Sequence, residues 1–591
     1  MHFLNSLSAT EWSVMERFLK AVVFPKGACI LTQGDPGDGC YLIDAGEVRL
    51  ELEHVEADSE NVLGHLGAGS LLGELALCDR GPRSASAFAE TEVQARWLGC
   101  DDFDRLCREQ PQLGLAISQA MAGDLTAKLR NMNRRLVEFI FQDEIDEATH
   151  AMVARAAAAQ KDFAAWPEDR VDALLQDLAQ AIADQAEPLA AATVQETAMG
   201  VVADKVAKNR FAALAVVKSL VGRPGNGLLP NSAGTGVTGI AAPVGVVLGL
   251  LPVTNPVATM VFKTLVCLKG RNAVIFSCHR NAQGVSNQAG TLMREVLRRH
   301  GAAEDLVQWI QGRISRRTTA KYMKHPGVGL ILATGGPSMV HAAYSSGRPA
   351  LGVGSGNAPC WIAADADVEA AAGAIVLSKS FDAGVICGSE NNLVVDASRR
   401  ETFVAALVSH GAALLTADEK ARLAAIIFDP ESGHLEKAVI GRPAAETAVR
   451  AGIERPYEIR LLVAPVTTAE LATPFALEKL APILSLFTVP DEAEALALCE
   501  SILNRCGKGH TAIVHTQSEE VAQRFGAAIT ASRLLVNAPG THGCIGLGTG
   551  LVPSLTLGCG TFGGNSTTDN VTYTHLINLK RLARALPVSS V

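Results

Sequence analysis

The run FDAGVICGSENNLVVD, Phe381 to Asp396, sets Cys387 between apolar residues and a Gly–Ser pair, just ahead of a β-rich stretch. A cysteine in that setting can act as a covalent nucleophile, although a lone cysteine in apolar company is more often buried core, because a reactive thiol needs specific activation. Three further runs bear on the choice: PVTNP at Pro252 to Pro256, ATGGP at Ala333 to Pro337, and LTLGCGTFGGNS at Leu555 to Ser566. A fourth, GSLLGELALCDRGPRSASA from Gly69 to Ala87, suits different chemistry. Its Gly-rich turn runs into a short helical segment whose first N–H groups can hold a phosphate. Glu74 can accept from a ribose 2′-hydroxyl, and Arg83 can pair with an anionic phosphate. That spacing suits a cyclic nucleotide.

These runs need elements to position them. From about Phe24 to Trp97 short alternating stretches such as CYLIDAGEVRLELE, punctuated by glycines, predict a small β-barrel or jelly roll. Helical periodicity from about Gln110 to Phe141 predicts a long helix closing this first domain, with QDEIDE as the linker after it. Beyond it, helical stretches such as RVDALLQDLAQAIADQ alternate with short apolar runs: VGVVLGLLP, AVIFS, VGLILATG, ALGVG, IRLLVAP and TAIVHT. That alternation predicts an α/β architecture with parallel sheets covered by helices. The apolar run from Gly236 to Val253 is broken by glycines and prolines and reads as buried strand and loop, not as a membrane span. The chain's 591 residues suit several domains or subdomains, and 48% hydrophobic against 19% charged residues is the balance of a well-packed soluble protein. A net charge of −9 without long basic runs argues against nucleic acid as a partner. The 13 cysteines show no CxxC pair or zinc spacing, no metal site is visible, and the start MHFLNSLSATEW has neither a basic nor an apolar leader region; a reducing cytoplasm is expected.

Over roughly 120 residues the N-terminal part resembles the cyclic-nucleotide-binding domains of the catabolite activator protein and the nucleotide-gated kinases. The resemblance implies that Gly73 and Glu74 meet the ribose, Arg83 the cyclic phosphate, and Ser84 with Ala85 the phosphate and base. Ser84 is compatible with cyclic AMP or cyclic GMP. Across nearly all of residues 150 to 590 the chain resembles the CoA-acylating aldehyde dehydrogenases, especially the aldehyde half of bifunctional alcohol/aldehyde dehydrogenases. The matching runs include HPGVGLILATGGPSMVHAAYSSGRPALGVGSGN, FALEKLAPILSLF, KGHTAIVHT and THLINLK.

That second resemblance implies an aldehyde dehydrogenase-like fold with a Rossmann-type cofactor domain and an α/β thiol domain. It implies that Cys387 attacks an aldehyde, with the oxyanion held by the Asn255 side chain and the Cys387 N–H, and that hydride transfer leaves a thioester. Hydrolytic relatives carry a Glu that activates water; Val353 stands at that position, 34 residues before Cys387, so CoA is the expected acyl acceptor. Thr254, Thr334, Gly335 and Gly336 are expected against the dinucleotide, Glu478 at the nicotinamide ribose, and His510 as an acid/base or CoA contact. Ser277, His279 and Arg280 fall at the adenosine end. NAD-preferring relatives often place a Glu where Arg280 stands, so NAD and NADP both remain open. Val385, Ile386 and Gly388 suggest a small, weakly charged aldehyde. The resemblance further implies a homo-oligomer, dimer or tetramer, built with the segment VTYTHLINLKRLARA, whose periodicity alone equally suits a packed terminal helix. The expected division is 1–142 for cyclic nucleotide, 143–357 for the helical start and cofactor domain, 358–565 for the thiol domain and 566–591 for the C-terminal segment. A catalytically inactive nucleotide sensor and a hydrolytic dehydrogenase are the alternatives.

Overall fold

The computed structural model describes residues 8–51, 62–123, 125–126, 145–229, 236–312, 314–430 and 433–585. It divides into two compact units, Met1–Asp143 and Glu144–Val591.

The first unit is antiparallel throughout. β1 (Lys20–Phe24), β8 (Val93–Gly99), β3 (Gly39–Ala45) and β6 (Leu71–Leu72) form one sheet in the order β1-β8-β3-β6. β2 (Cys29–Leu31), β7 (Ser86–Ala89), β4 (Val48–Glu51) and β5 (Val62–Leu66) form a second, in the order β2-β7-β4-β5. Strand alternation does the sorting: β8 buries Val93 and Ala95 and exposes Gln94 between them. Ile43, Val48, Leu72, Ala87 and Ala89 complete that core. The helix Cys100–Glu109 buries Cys100, Phe103 and Leu106, one apolar stripe at helical spacing. A helix follows over 111–123, and 125 and 126 are helical; the rest of the predicted long helix, and the first half of the predicted linker, 142–144, lie outside the described residues.

The second unit holds two all-parallel sheets. β11 (Val246–Leu250), β12 (Ala273–Ser277), β13 (Val307–Trp309), β14 (Val328–Thr334) and β15 (Ala350–Val353) run in the order β13-β12-β11-β14-β15. β16 (Ala358–Ile362), β17 (Glu390–Asp396), β18 (Ala412–Leu414), β19 (Leu461–Pro465), β20 (Ile483–Val489), β21 (Gly509–His515) and β22 (Ala531–Val536) run in the order β18-β19-β20-β17-β16-β21-β22. Their near-continuous apolar strands are what helices packed on both faces require. The expected strand and loop at 236–253 are β10 (Val237–Pro243) and β11. The segment from Val571 is no terminal helix: β23 (Ile577–Ala583) pairs antiparallel with β10, and β9 (Gly227–Leu228) lies on the other side of β10.

The helix Pro256–Lys269 is buried along its whole length. Asn255 caps it and Pro256 takes its first turn, where a missing N–H costs nothing. At its far end the fully buried Lys269 ammonium lies 2.5 Å from both Glu168 Oε1 and Asp172 Oδ1, and Arg271 Nη2 is 3.0 Å from Glu168 Oε2. Removing one partner of a buried ion pair strands the other charges. Lys269→Met is therefore expected to destabilise this unit by about 3 kcal/mol in urea unfolding followed by tryptophan fluorescence.

Candidate active site

All strands of a parallel sheet end at one edge, and the five-stranded sheet gathers the expected cofactor residues there. Leu250 of β11 is in register with Ser277 of β12 and Ala333 of β14. Thr254 and Asn255, then Ser277 to Arg280, then Thr334 to Gly336 thus leave the same edge, the place where open α/β sheets take ligands. The Ser277 hydroxyl bonds Thr319 Oγ1 at 2.8 Å, and His279 Nδ1 accepts from the Asn281 N–H at 3.2 Å. Thr334 Oγ1 is buried and has no hydrogen-bond partner among the described residues, and a Cβ added at Gly336 would meet nothing within 4 Å. An unmet hydroxyl beside open space fits a dinucleotide better than it fits a packed turn.

The reacting groups collect at the opposite kind of edge, where strands of the seven-stranded sheet begin. Cys387 precedes β17, Gly356 precedes β16, Glu478 precedes β20, and His510 is the second residue of β21. His510 Nε2 lies 3.2 Å from Cys387 Sγ, and His510 Nδ1 lies 2.9 Å from Thr511 Oγ1. Burial pushes the Cys387 thiol well above its usual range; Cys544, Glu478 and Cys559 add to this and Arg533 opposes it. Burial likewise pushes His510 well below its usual range, with Arg533 contributing. Thiol and imidazole therefore rest neutral, in contact. Gly356 has no room for a side chain, since a Cβ there would overlap the Cys387 carbonyl oxygen. Its N–H donates to Glu478 Oε1 at 3.1 Å, and burial raises the Glu478 carboxyl to about 7 against the pull of Lys379 and that N–H.

Asn255 connects to this centre through cations. Its Oδ1 accepts from Lys208 Nζ, which also bonds Asp382 Oδ2 in the Cys387 run. The residue types in VADKVAKNR read as a solvated helix face, so Lys205 and Lys208 carried no sequence signal. Asp382 had only its place in the Cys387 run. Arg533 was also missed; its guanidinium is buried and donates to the Gly558 carbonyl at 2.7 Å and to Thr511 Oγ1 at 3.4 Å, just behind His510.

In the first unit Arg83 and Glu74 are buried and Ser84 is exposed. Arg83 Nη1 donates to the Gly39 and Gly73 carbonyls at 2.7 and 3.3 Å, and Nη2 to Asp38 Oδ1 at 2.6 Å. Gly73 has φ +81°, and a Cβ there would press on Arg83 Nη1 at 2.6 Å, so glycine is required for the guanidinium to take this position. The guanidinium is buried and ion-paired with Asp38, so an anionic ligand reaching it would take the place of that carboxylate.

Two predictions follow from the thiol centre. Alkylation of Cys387 by iodoacetamide, read by peptide mass against a Cys387→Ser control, is expected to keep accelerating above pH 9, because the raised thiol leaves little thiolate at neutral pH. In single-turnover NAD(P)H formation, a pH inflection near 7 is expected in the wild type and is lost in Glu478→Gln.

Comparison with known proteins bears on both units. Residues 139–572 match the aldehyde dehydrogenase family and residues 21–110 the cyclic nucleotide-binding domain. The bifunctional aldehyde-alcohol dehydrogenase of Escherichia coli K12 is 39% identical over 440 residues, covering 74% of this chain and 49% of that protein. The chain thus spans about half the length of that curated relative. The structure of an acetylating aldehyde dehydrogenase from Geobacillus thermoglucosidasius is 41% identical with a TM-score of 0.72, covering 74% of this chain and 96% of that one. The Rhodopseudomonas palustris propionaldehyde dehydrogenase with bound propionyl-CoA is 26% identical with a TM-score of 0.68, over 75% of this chain and 95% of that one. With a Cys–His centre where strands of the seven-stranded sheet begin and matches of this extent, the chain belongs to the aldehyde dehydrogenase family, among its acylating members, with a cyclic nucleotide-binding domain ahead of the dehydrogenase unit.

Proposed function

We propose that the chain oxidises an aldehyde to an acyl-CoA, reversibly, with NAD(P)+ as hydride acceptor. The observation that carries this reading is the 3.2 Å contact between Cys387 Sγ and His510 Nε2, beside a Val353–Asn357 run that offers no carboxylate to water. The Cys387 proton passes to His510 as sulfur attacks the carbonyl carbon. The resulting oxyanion is held by Asn255 Nδ2 and the Cys387 N–H, donors that act on charge developing in the transition state. A dinucleotide held at Thr254, Thr334, Gly335 and Gly336 would supply the hydride acceptor. Cys387 is left as a thioester; the ionised thiol of CoA, which needs no general base, attacks its carbonyl carbon and expels the Cys387 thiolate, which takes back the proton held by His510. Hydrolysis is the competing outcome.

The cofactor reading assigns Thr254, Thr334, Gly335, Gly336 and Glu478 to the dinucleotide and Ser277, His279 and Arg280 to its adenosine end. Exposure of Arg280 supports NADP as readily as NAD. Within the dehydrogenase unit we assign cofactor binding to 143–357, thiol chemistry to 358–565 and subunit association to 566–591. The exposed Leu228, Leu579 and Leu582 on the β9-β10-β23 sheet support a homo-oligomer. Cyclic AMP or cyclic GMP on Arg83, with Gly73, Glu74, Ser84 and Ala85, is the proposed regulator, by a coupling of about 1–3 kcal/mol.

Purified protein supplied with short aldehydes is expected to form NAD(P)H only with CoA, and Cys387→Ala to lose at least about 10³-fold in kcat. Cyclic nucleotide is expected to shift activity by about 5-fold or more, and Arg83→Ala to remove that shift. Free acid as product without CoA would favour the hydrolytic reading. No turnover across the panel, with nucleotide still bound, would favour a sensor.

A further inference from the structure

The helix Val202–Arg210 turns two lysines inward three residues apart, and both are almost fully buried, Lys205 at 2% and Lys208 at 3% exposure. They converge on one carboxylate. Asp382 Oδ2 accepts from Lys205 Nζ at 3.0 Å and from Lys208 Nζ, while its Oδ1 accepts from the Val201 N–H at 2.9 Å. The Asp382 N–H in turn donates to Asp204 Oδ2 at 2.8 Å. Each ammonium has a second acceptor in the PVTNP run: Lys205 Nζ reaches the Thr254 carbonyl at 3.1 Å, and Lys208 Nζ reaches Asn255 Oδ1.

Burying two ammonium groups costs several kcal/mol each before pairing, and methionine would fill the same space without that cost. The placement is therefore explained by what the charges hold. Asp382 and Ala383 both take left-handed backbone angles, φ +48° and +53°, which non-glycine residues rarely adopt, so the turn leading to Cys387 needs outside restraint. Asn255 needs restraint of another kind. An amide can present either end to a substrate, and only Nδ2 can stabilise an oxyanion. An ammonium donates and never accepts, so Lys208 fixes Oδ1 toward itself and turns Nδ2 away. Thr254 Oγ1, at 3.1 Å, engages one Nδ2 proton and leaves the second to face a substrate.

We propose that Lys208 is a positioning residue for the oxyanion site: it sets the amide of Asn255 donor-outward and, through Asp382, holds that donor in register with Cys387. This rests on the oxyanion reading of Asn255 above. The test is a double-mutant cycle of Asn255→Ala and Lys208→Met on CoA-dependent NAD(P)H formation, using the best aldehyde of the panel. Each single variant is expected to lose about 10²–10³-fold in kcat, with KM for CoA within about twofold of wild type. The double variant is expected within about threefold of Asn255→Ala, since Lys208 acts through that residue. Lys208→Gln, which keeps an N–H donor one atom closer to the backbone but drops the charge, is expected to recover about tenfold over Lys208→Met. If Lys208→Met does not fold, Lys208→Gln takes its place in the cycle. Losses that multiply in the double variant, or Lys208→Met at wild-type kcat beside a slow Asn255→Ala, overturn the proposal alone. Asn255→Ala at wild-type kcat overturns the oxyanion reading and the proposal together.

Discussion

The sulfur of Cys387 and the imidazole of His510 are in contact, and their burial favours the neutral form of each. A nucleophile kept neutral at rest resists oxidation and adventitious alkylation, but it must gain its negative charge during the reaction, when sulfur meets carbon. The surrounding groups answer that requirement. Arg533 stands behind the histidine with its guanidinium bonded to Gly558 and Thr568 carbonyls and the Thr511 hydroxyl, so its positive charge is available to a forming anion. Gly356 lets the chain close over the Cys387 carbonyl, fixing the backbone from which the sulfur projects.

Two parallel sheets supply two kinds of edge. The five-stranded sheet offers the ends of its strands, where successive turns leave backbone and hydroxyls uncovered. The seven-stranded sheet offers the beginnings of β16, β17, β20 and β21, where β16 is entered from β15 and the others from helical segments. A thiol carried on such an incoming loop is braced from both sides, by the helix Val368–Ser380 before it and by β17 after it. Precise positioning is worth more to a covalent step than any single contact, because the reacting atoms must meet within a few tenths of an ångström.

Much of this was legible in the sequence, and the limits are physical. The apolar runs that alternate with helical stretches became parallel strands, since burial on both faces leaves an unmistakable pattern. Cys387, His510, Asn255 and Glu478 stood in runs whose likeness to a family extends over hundreds of residues. The buried cations did not show. Lys205, Lys208 and Arg533 have the composition of a surface, and only tertiary structure reveals that carboxylates, amides and carbonyls await them. The strand β23 was ambiguous for a related reason: a segment exposed on both faces, with a distant partner, shows no alternation to separate it from a helix.

That distant partner affects how the protein is made. β10 finds most of its hydrogen bonds in β23, and Arg584 bonds Thr238 across 346 positions of the chain. While the polypeptide leaves the ribosome at roughly 5–20 residues per second, β10 waits tens of seconds for the strand that completes it. Over that interval it presents an open sheet edge to the crowded surroundings, a template for pairing with a neighbouring nascent copy of the same strand. The step that completes this sheet thus waits for β23, and the yield of properly folded protein depends on how well the β10 edge is shielded until then.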